Sequence, residues 1–390
     1  MKSICAVLGV EAAGIKEGKY GLALIKASGT AAAVFTKNIF AAAPVILMKE
    51  RMENGVLDGI IVNSGNANVY TGEQGLKDTE RMAEIAAEAF KTTPERVGVA
   101  STGVIGRFLD TGIIEDQCRR ISGNITSDED AEIQAAKAIM TTDLAEKHAL
   151  VQKPGFSVAG IAKGSGMIAP NMGTMLGFLY TDAEIPADEL KTLLQKAVRR
   201  SFNRVVVDGD TSTNDCVFIT ATGKKGKADP DEFYEALEEV CINLAKMIAK
   251  DGEGATKFIE VEVTGTKTEE DAEIIAKTVV GSPLVKTAVY GEDPNWGRII
   301  AAAGRAGVSF DPLEMTISIS NGEETVVLAR KGENLADIKV NPENLAAAKS
   351  LMKGKTVIFK LSLESGSEKA TAFGCDFTEK YVEINGKYTT

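Results

Sequence analysis

The chain has 390 residues, 44% hydrophobic and 25% charged, the balance of an ordinary soluble globular protein with length for two or three domains and a large core. Its formal net charge of −11 argues against a general nucleic-acid or anionic-membrane binder, because both need a basic face. No apolar run is long enough for a secretory signal or a membrane span, so a cytoplasmic protein is expected.

In chain order, residues 21–25, 31–35 and 44–48 read as strands. The apolar run 59–62 is a buried-strand candidate that feeds the small, polar run 63–68, a turn or a site loop. Residues 76–90 pattern as a helix, with Met82, Ile85, Ala86 and Phe90 near one face. Strand 97–100 delivers Ser101, Thr102 and Gly103 at its end. Ser127, with Asp130 three residues on, has the form of a capped helix start; that helix runs to about Met140, and Thr141, Thr142 and Asp143 end it. The polar run 145–148 reads as a solvated connection and holds His148, the one histidine.

Strand 156–162 enters the least ordinary segment, KGSGMIAPNMGTMLGFL at 163–179. Gly164 and Gly166 free the backbone, Pro170 fixes one torsion, and Thr174 opens an apolar block after a turn-compatible run ending at Gly173. Beyond it the helices lengthen. Pro186 suits a first turn, and Leu190, Leu193, Leu194, Ala197, Val198 and Phe202 mark a stripe. Strand 205–207 enters the acidic, hydroxyl-bearing turn 208–215, and a second amphipathic helix spans 230–250. Strand 258–263, helix 268–280, strand 284–289 and the turn 293–298 follow, then strands at 315–319, 356–363, 370–377 and 381–384. The mixture indicates α/β layers with antiparallel as well as parallel pairing.

Five scattered cysteines without a Cys-x-x-Cys pair fit a reduced cytosolic chain. One histidine excludes every two-histidine metal motif and points to acid–base chemistry without imidazole. Gly164, Gly166 and Ala169 match a dinucleotide fingerprint, but Pro170 follows where a helix must open. Gly354, Lys355 and Thr356 end like a phosphate loop, yet Lys349 stands where its first glycine belongs. The turn 208–215 alternates oxygen ligands without the closing glutamate of a calcium loop, so no metal is expected. Glu253, between Gly252 and Gly254, belongs to a helix stop or presents a carboxylate to a ligand. Thr174 is either a β-branched residue starting a strand or a nucleophile on a strained turn. For the second role its hydroxyl needs a base, and an N-terminal threonine carries one in its own α-amine, with a reference pKa of about 7.7–8.0. The Gly173–Thr174 bond must then be cut first, by attack of the hydroxyl on the preceding carbonyl and hydrolysis of the resulting ester.

The runs 63–68, 101–106, 163–176, 201–204, 207–215, 251–257 and 293–298 stand in an order that resembles the ornithine acetyltransferase (glutamate N-acetyltransferase) family, from the region 9–14 to the last residue. The resemblance implies an α/β layered sandwich similar to the N-terminal-nucleophile hydrolases, with its own topology and a smaller α/β domain in the C-terminal part. It implies a self-cleaving precursor whose alpha chain, 1–173, and beta chain, 174–390, stay together as a heterotetramer of two of each. Thr174 matches the nucleophile, and Thr102 and Gly103 match the oxyanion hole. Thr142 (chosen over Thr141), Lys163, Thr174, Glu253, Asn385 and Thr390 match substrate-binding positions. Lys163 is assigned the substrate carboxylate; Glu253, counted among the catalytic positions, is assigned the substrate amine or its proton. Gly173 departs from the family's usual alanine, and Gly386-Lys387 from its usual Ala-Asp.

The activity implied is acetyl transfer from N2-acetylornithine to glutamate through acetyl-Thr174, in arginine biosynthesis. No cofactor is needed, with acetyl-CoA a second acetyl donor if the enzyme is bifunctional. The alternatives are an aminopeptidase or amidase, in which water resolves the acyl-enzyme, and a non-catalytic small-molecule binder that stays uncut.

Overall fold

The computed structural model describes residues 2–169 and 175–387. Its strands, in chain order, are β1 (Glu11–Glu17), β2 (Tyr20–Phe35), β3 (Val56–Asn66), β4 (Val97–Val104), β5 (Lys147–Lys153), β6 (Phe156–Lys163), β7 (Leu176–Thr181), β8 (Val205–Val206) and β9 (Cys216–Ala221). They continue as β10 (Phe258–Thr266), β11 (Thr316–Ser320), β12 (Thr325–Arg330), β13 (Glu333–Asn334), β14 (Thr356–Ser362) and β15 (Glu368–Cys375). The α/β class expected from the sequence holds, with one sheet in each of two compact units.

The first unit takes the chain to Asn203 together with Asp210–Ile248. Its sheet runs β4-β3-β2-β9-β7-β6-β5, with β1 also on β2. β3–β4 and β7–β9 are parallel and the other pairs antiparallel. β6, β7 and β9 are buried at every position, which is why they read as nearly unbroken apolar runs: helices cover such strands and leave no wet face to alternate. Helix Gly72–Phe90 packs on β3 and β4, Glu129–Ile139 on β1 and β2, and Ala187–Arg200 on β2 and β9.

The second unit takes Arg204–Gly209 and the chain from Ala249 onward. Its sheet runs β13-β12-β11-β14-β10-β15-β8. β10 alternates, with Ile259, Val261 and Val263 buried and Glu260 and Glu262 half-buried, as a strand with one covered face should. Helix Glu269–Val280 packs on β10 and β15, and Thr268 caps it by accepting the Asp271 N–H. Arg204, from the run 201–204, pairs with Glu269 at 2.7 Å.

Three expected strands are helical. Residues 44–48 lie in helix Ala43–Arg51 and residues 284–289 in helix Pro283–Tyr290, each with a proline at its first positions, where a fixed φ and a missing N–H cost nothing. Residues 381–384 lie in helix Glu379–Lys387. Runs of four to six residues carry too little period to separate the two forms. The expected turn 293–298 starts a helix, Trp296–Gly304, capped by Asn295, which accepts the Arg298 N–H at 3.2 Å. The helix at 129 is flanked by Asp128 rather than Ser127, without a side-chain cap.

The run 145–148 is not a solvated connection. His148 lies on β5 with Nδ1 2.8 Å from Glu132 Oε1, and Glu132 is 1% exposed. That carboxylate also accepts the N–H groups of Ser3 and Cys5, tying the start of the chain to helix Glu129–Ile139. Burial alone raises its pKa, but the hydrogen bonds from His148, Ser3 and Cys5 outweigh burial and hold it below the ordinary value. Glu132→Ala strands two buried N–H groups and should lower unfolding stability by about 3 kcal/mol, read as a reduced urea midpoint. A carboxyl whose folded pKa is depressed contributes fully above its unfolded value, near 4.5, and loses that contribution as pH falls through the lower folded value. The gap between parent and variant should therefore narrow below that pH; a midpoint unchanged at pH 7 would refute the assignment.

Candidate active site

The parallel pair β3–β4 sets Ser64 opposite Thr102 and Gly65 opposite Gly103. Gly103 has φ +132°, and a Cβ there would stand 2.3 Å from the Gly65 carbonyl carbon, so no other residue keeps this approach. The run 63–68 is therefore not a plain turn: Asn63 to Asn66 complete β3, and Asn63 Nδ2 donates to the Asn66 carbonyl at 2.9 Å. Asn214 fastens the same corner from the 208–215 run, its Nδ2 donating to the carbonyls of Ser101 at 2.8 Å and Ala67 at 2.6 Å. The end of β4 is thus rigid, as a site that must aim donors at one point requires.

Lys163 closes β6, and its Nζ donates to Thr102 Oγ1 at 3.3 Å; both residues are buried. Next to it Gly164, at φ +152°, donates its N–H to Asp143 Oδ1 at 2.6 Å. The Asp143 carboxylate is fully enclosed, meets Lys147 Nζ at 2.7 Å and accepts the Thr141 N–H at 3.1 Å. Burial works against its charge, yet the Lys163 and Lys147 ammonium groups and the Gly164 N–H overcome that and bring its pKa to about 2. Thr142 Oγ1 lies 2.7 Å from Ser165 Oγ, while Thr141 takes part through its backbone, so Thr142 is the one whose hydroxyl joins the 163–165 run.

Four of the expected positions, Thr102, Gly103, Thr142 and Lys163, thus stand in the first unit on two connected corners. Gly173, Thr174 and Thr390 lie outside the described residues. Met175, which follows Thr174, is buried, and its carbonyl accepts the Cys216 N–H at 3.1 Å.

Glu253 and Asn385 come together in the second unit, Asn385 Nδ2 donating to Glu253 Oε2 at 2.8 Å. The contact depends on the helix Glu379–Lys387, since a strand at 381–384 would carry Asn385 past the loop. That loop is held close: a Cβ on Gly254 would lie 2.5 Å from the Tyr381 nitrogen, and Thr378 Oγ1 donates to the Gly254 carbonyl at 2.7 Å. Asp376 accepts the N–H groups of Thr256 and Lys257 at 2.7 and 3.0 Å. Glu253 thus stands on a clamped loop that follows directly on the end of helix Pro230–Lys250.

Sequence reading missed Asp143, Ser165 and Asn214. Asp143 reads only as part of a helix end, and Asn214 only as part of an acidic turn. Nothing in their local pattern signals a partner more than a hundred residues away, as Asn214 has in Ser101. Among the described residues no group of three or more His, Cys, Asp or Glu could hold a metal ion, and no helix is long and apolar enough to cross a membrane.

Residues 7–390 match the model of the ArgJ family. The glutamate N-acetyltransferase of Methanosarcina mazei is 51% identical over 99% of this chain and 98% of its own. The arginine biosynthesis bifunctional protein ArgJ of Archaeoglobus fulgidus is 48% identical over 98% of both chains. A crystal structure of the bifunctional ArgJ protein from Bacillus halodurans superposes with a TM-score of 0.51 at 42% identity, over 55% of this chain and 100% of that one. With nearly the whole sequence matched at half identity, the chain belongs to the ArgJ family.

Proposed function

We propose that this protein is a glutamate N-acetyltransferase of arginine biosynthesis, working by a ping-pong exchange through Thr174. The observation that carries the reading is the pairing of Thr102 and Gly103 at a rigid strand end with Lys163 Nζ 3.3 Å from the Thr102 hydroxyl. β6 then runs directly into the segment that bears Thr174, at the position where the family likeness puts a nucleophile.

Thr174 Oγ attacks the acetyl carbonyl of N2-acetylornithine. The Thr174 α-amine takes the hydroxyl proton and passes it to the departing ornithine nitrogen as the C–N bond breaks. The acetyl ester is then attacked by the glutamate amine, and the proton returns to Oγ as the C–O bond breaks. In each half the tetrahedral oxyanion is met by the Thr102 hydroxyl and the Gly103 N–H. Lys163 pairs with the carboxylate common to both amino acids. Glu253, already hydrogen-bonded to Asn385, takes a substrate ammonium or its proton. Because the acetyl group moves from amine to hydroxyl to amine, no cofactor is required. Acetyl-CoA as a further donor belongs to the same site, since a thioester presents the same carbonyl.

The α-amine exists only after the chain is cut before Thr174, into 1–173 and 174–390. We take the working enzyme to be a cytoplasmic heterotetramer of two such pairs. The length match to the solved Bacillus halodurans relative supports a cut: its whole chain spans 55% of this one, close to the share beyond residue 173. Gly173 keeps the residue before the cut small.

Thr174→Ala should give one full-length mass and no transfer, where the parent gives two fragments and gains one acetyl on the downstream piece. Two fragments from the variant would sink the nucleophile assignment. Thr102→Val, which removes one oxyanion donor, should cut kcat by roughly 10²–10³-fold with a folded, cleaved protein; a loss under threefold would remove Thr102 from the hole. Lys163→Met should raise KM for both amino-acid substrates at least about tenfold. Unchanged KM values would place the carboxylate elsewhere.

A further inference from the structure

One row of the first unit's sheet leads from Thr102 to a lysine that has no part in the exchange described above. The register sets Lys16 of β1 opposite Gly21 of β2, Gly21 opposite Ser64 of β3, and Ser64 opposite Thr102 of β4. Side chains alternate along a strand, so these four paired positions share the face that bears the Thr102 hydroxyl. Lys16 crosses over Gly21, and its Nζ donates to Ser64 Oγ at 2.7 Å. The same ammonium donates to the Met140 carbonyl at 2.6 Å and to the Lys19 carbonyl at 3.4 Å. Ser64 Oγ gives its own hydrogen to the Ala138 carbonyl at 2.6 Å. Met140 ends helix Glu129–Ile139 and immediately precedes Thr141, Thr142 and Asp143.

A lysine on the last carbonyls of a helix is common, and alone it says only that the helix ends there. Two features here go beyond that. The path of the side chain is kept open, since a Cβ on Gly21 would stand 2.1 Å from the Ala138 carbonyl oxygen, 2.7 Å from Ser64 Oγ and 2.9 Å from Lys16 Cδ. The charge also faces the site. Burial lowers the Lys16 pKa, the Lys163 ammonium lowers it further, and the Asp143 carboxylate acts in the opposite direction.

The contacts close into a ring. Lys16 joins Ser64 to Met140, and the chain runs from Met140 to Asp143. Asp143 holds the Gly164 N–H, the next residue back is Lys163, and Lys163 donates to Thr102, beside Ser64 in the row. Because Thr102 Oγ1 accepts from Lys163, its own hydrogen is left to donate. Such a donor acts best when it is fixed before the reaction, and a misplacement of about 1 Å can cost on the order of 10²-fold in rate. Resting on the reading that Thr102 donates to the oxyanion, we propose that Lys16 is a positioning residue for acetyl transfer. By bridging Ser64 Oγ and the Met140 carbonyl, it closes the ring that fixes the Thr102 hydroxyl against Lys163.

The test measures transfer from N2-acetylornithine to glutamate by Lys16→Met and Ser64→Ala, each alone and combined with Thr102→Val, beside the parent and Thr174→Ala. Thermal melting and intact mass follow folding and cutting, and rates are taken per cut chain. Lys16→Met should lose on the order of 10-fold in kcat, with KM within about threefold. Ser64→Ala, which breaks the same bridge from its other end, should lose a similar factor. Added to Thr102→Val, either change should cost less than about threefold, because the hydroxyl being positioned is already gone. A clamp that serves stability alone lowers the melting temperature and leaves kcat of the folded enzyme where it was. Parent-like kcat in both single variants, or the same loss with and without the Thr102 hydroxyl, overturns the role of Lys16 and leaves the transferase reading standing. If Lys16→Met does not fold, Ser64→Ala decides alone, and a kcat within threefold of the parent overturns the proposal. Failure of both to fold or to be cut overturns it in favour of a structural clamp. Transfer by Thr174→Ala, or by Thr102→Val at the parent rate, overturns the reading beneath it.

Discussion

The geometry of the first unit's site depends on one enclosed carboxylate, that of Asp143. Taking a carboxylate out of water costs several kcal/mol, and only close partners offset it. Here the partners are Lys147 at 2.7 Å, the Gly164 N–H at 2.6 Å and the Thr141 N–H at 3.1 Å, with the Lys163 charge nearby. Each partner lies on a different piece of the site. Asp143 thereby joins the end of helix Glu129–Ile139 to the end of β6, and it lets Gly164 take a left-handed turn immediately after the lysine. A carboxylate brought to a pKa of about 2 stays charged at any physiological pH, so this junction is permanent.

Around that junction the sheet acts as a ruler. The register puts Lys163, Leu176 and Cys216 in one row across three strands, and Ser64 and Thr102 in one row across two. Hydrogen-bonded rows fix backbone positions more firmly than loops do unaided. Gly103 near the end of β4 and Lys163 at the end of β6 are both placed in this way. The glycine at 103 is then a packing requirement, because the neighbouring strand passes where a side chain would be.

The second unit solves a similar problem with a loop. Glu253 stands on a turn between Gly252 and Gly254 that is held by Asn385 and the backbone at Tyr381 of the Glu379–Lys387 helix and by Thr378 just before it. Two of the runs that carry the family resemblance turn out to serve structure there. Asn295 caps a helix within 293–298, and Arg204 anchors 201–204 to Glu269. A run can mark a family because a backbone must end or turn at that place, without touching the chemistry.

Read as a linear string, the chain declared its class and the long, periodic elements, because burial on one or both faces leaves its mark within a few neighbouring residues. The helix at 76–90 and the runs that became β6 and β10 are of this kind. Ordered motifs likewise pointed to Thr102, Gly103 and Lys163 as members of one site. What the string did not determine was the form of short runs such as 44–48 and 381–384, where four or five residues pack equally well as helix or strand until neighbours choose. Nor did it reveal Asp143 or Asn214 as anchors, since a buried polar group is defined by the partners that folding brings to it. His148 shows the same limit: polar neighbours made it look solvated, and only the folded chain brings Glu132 to its ring. Local burial is written in the sequence; long-range satisfaction of polar groups exists only once the strands are side by side.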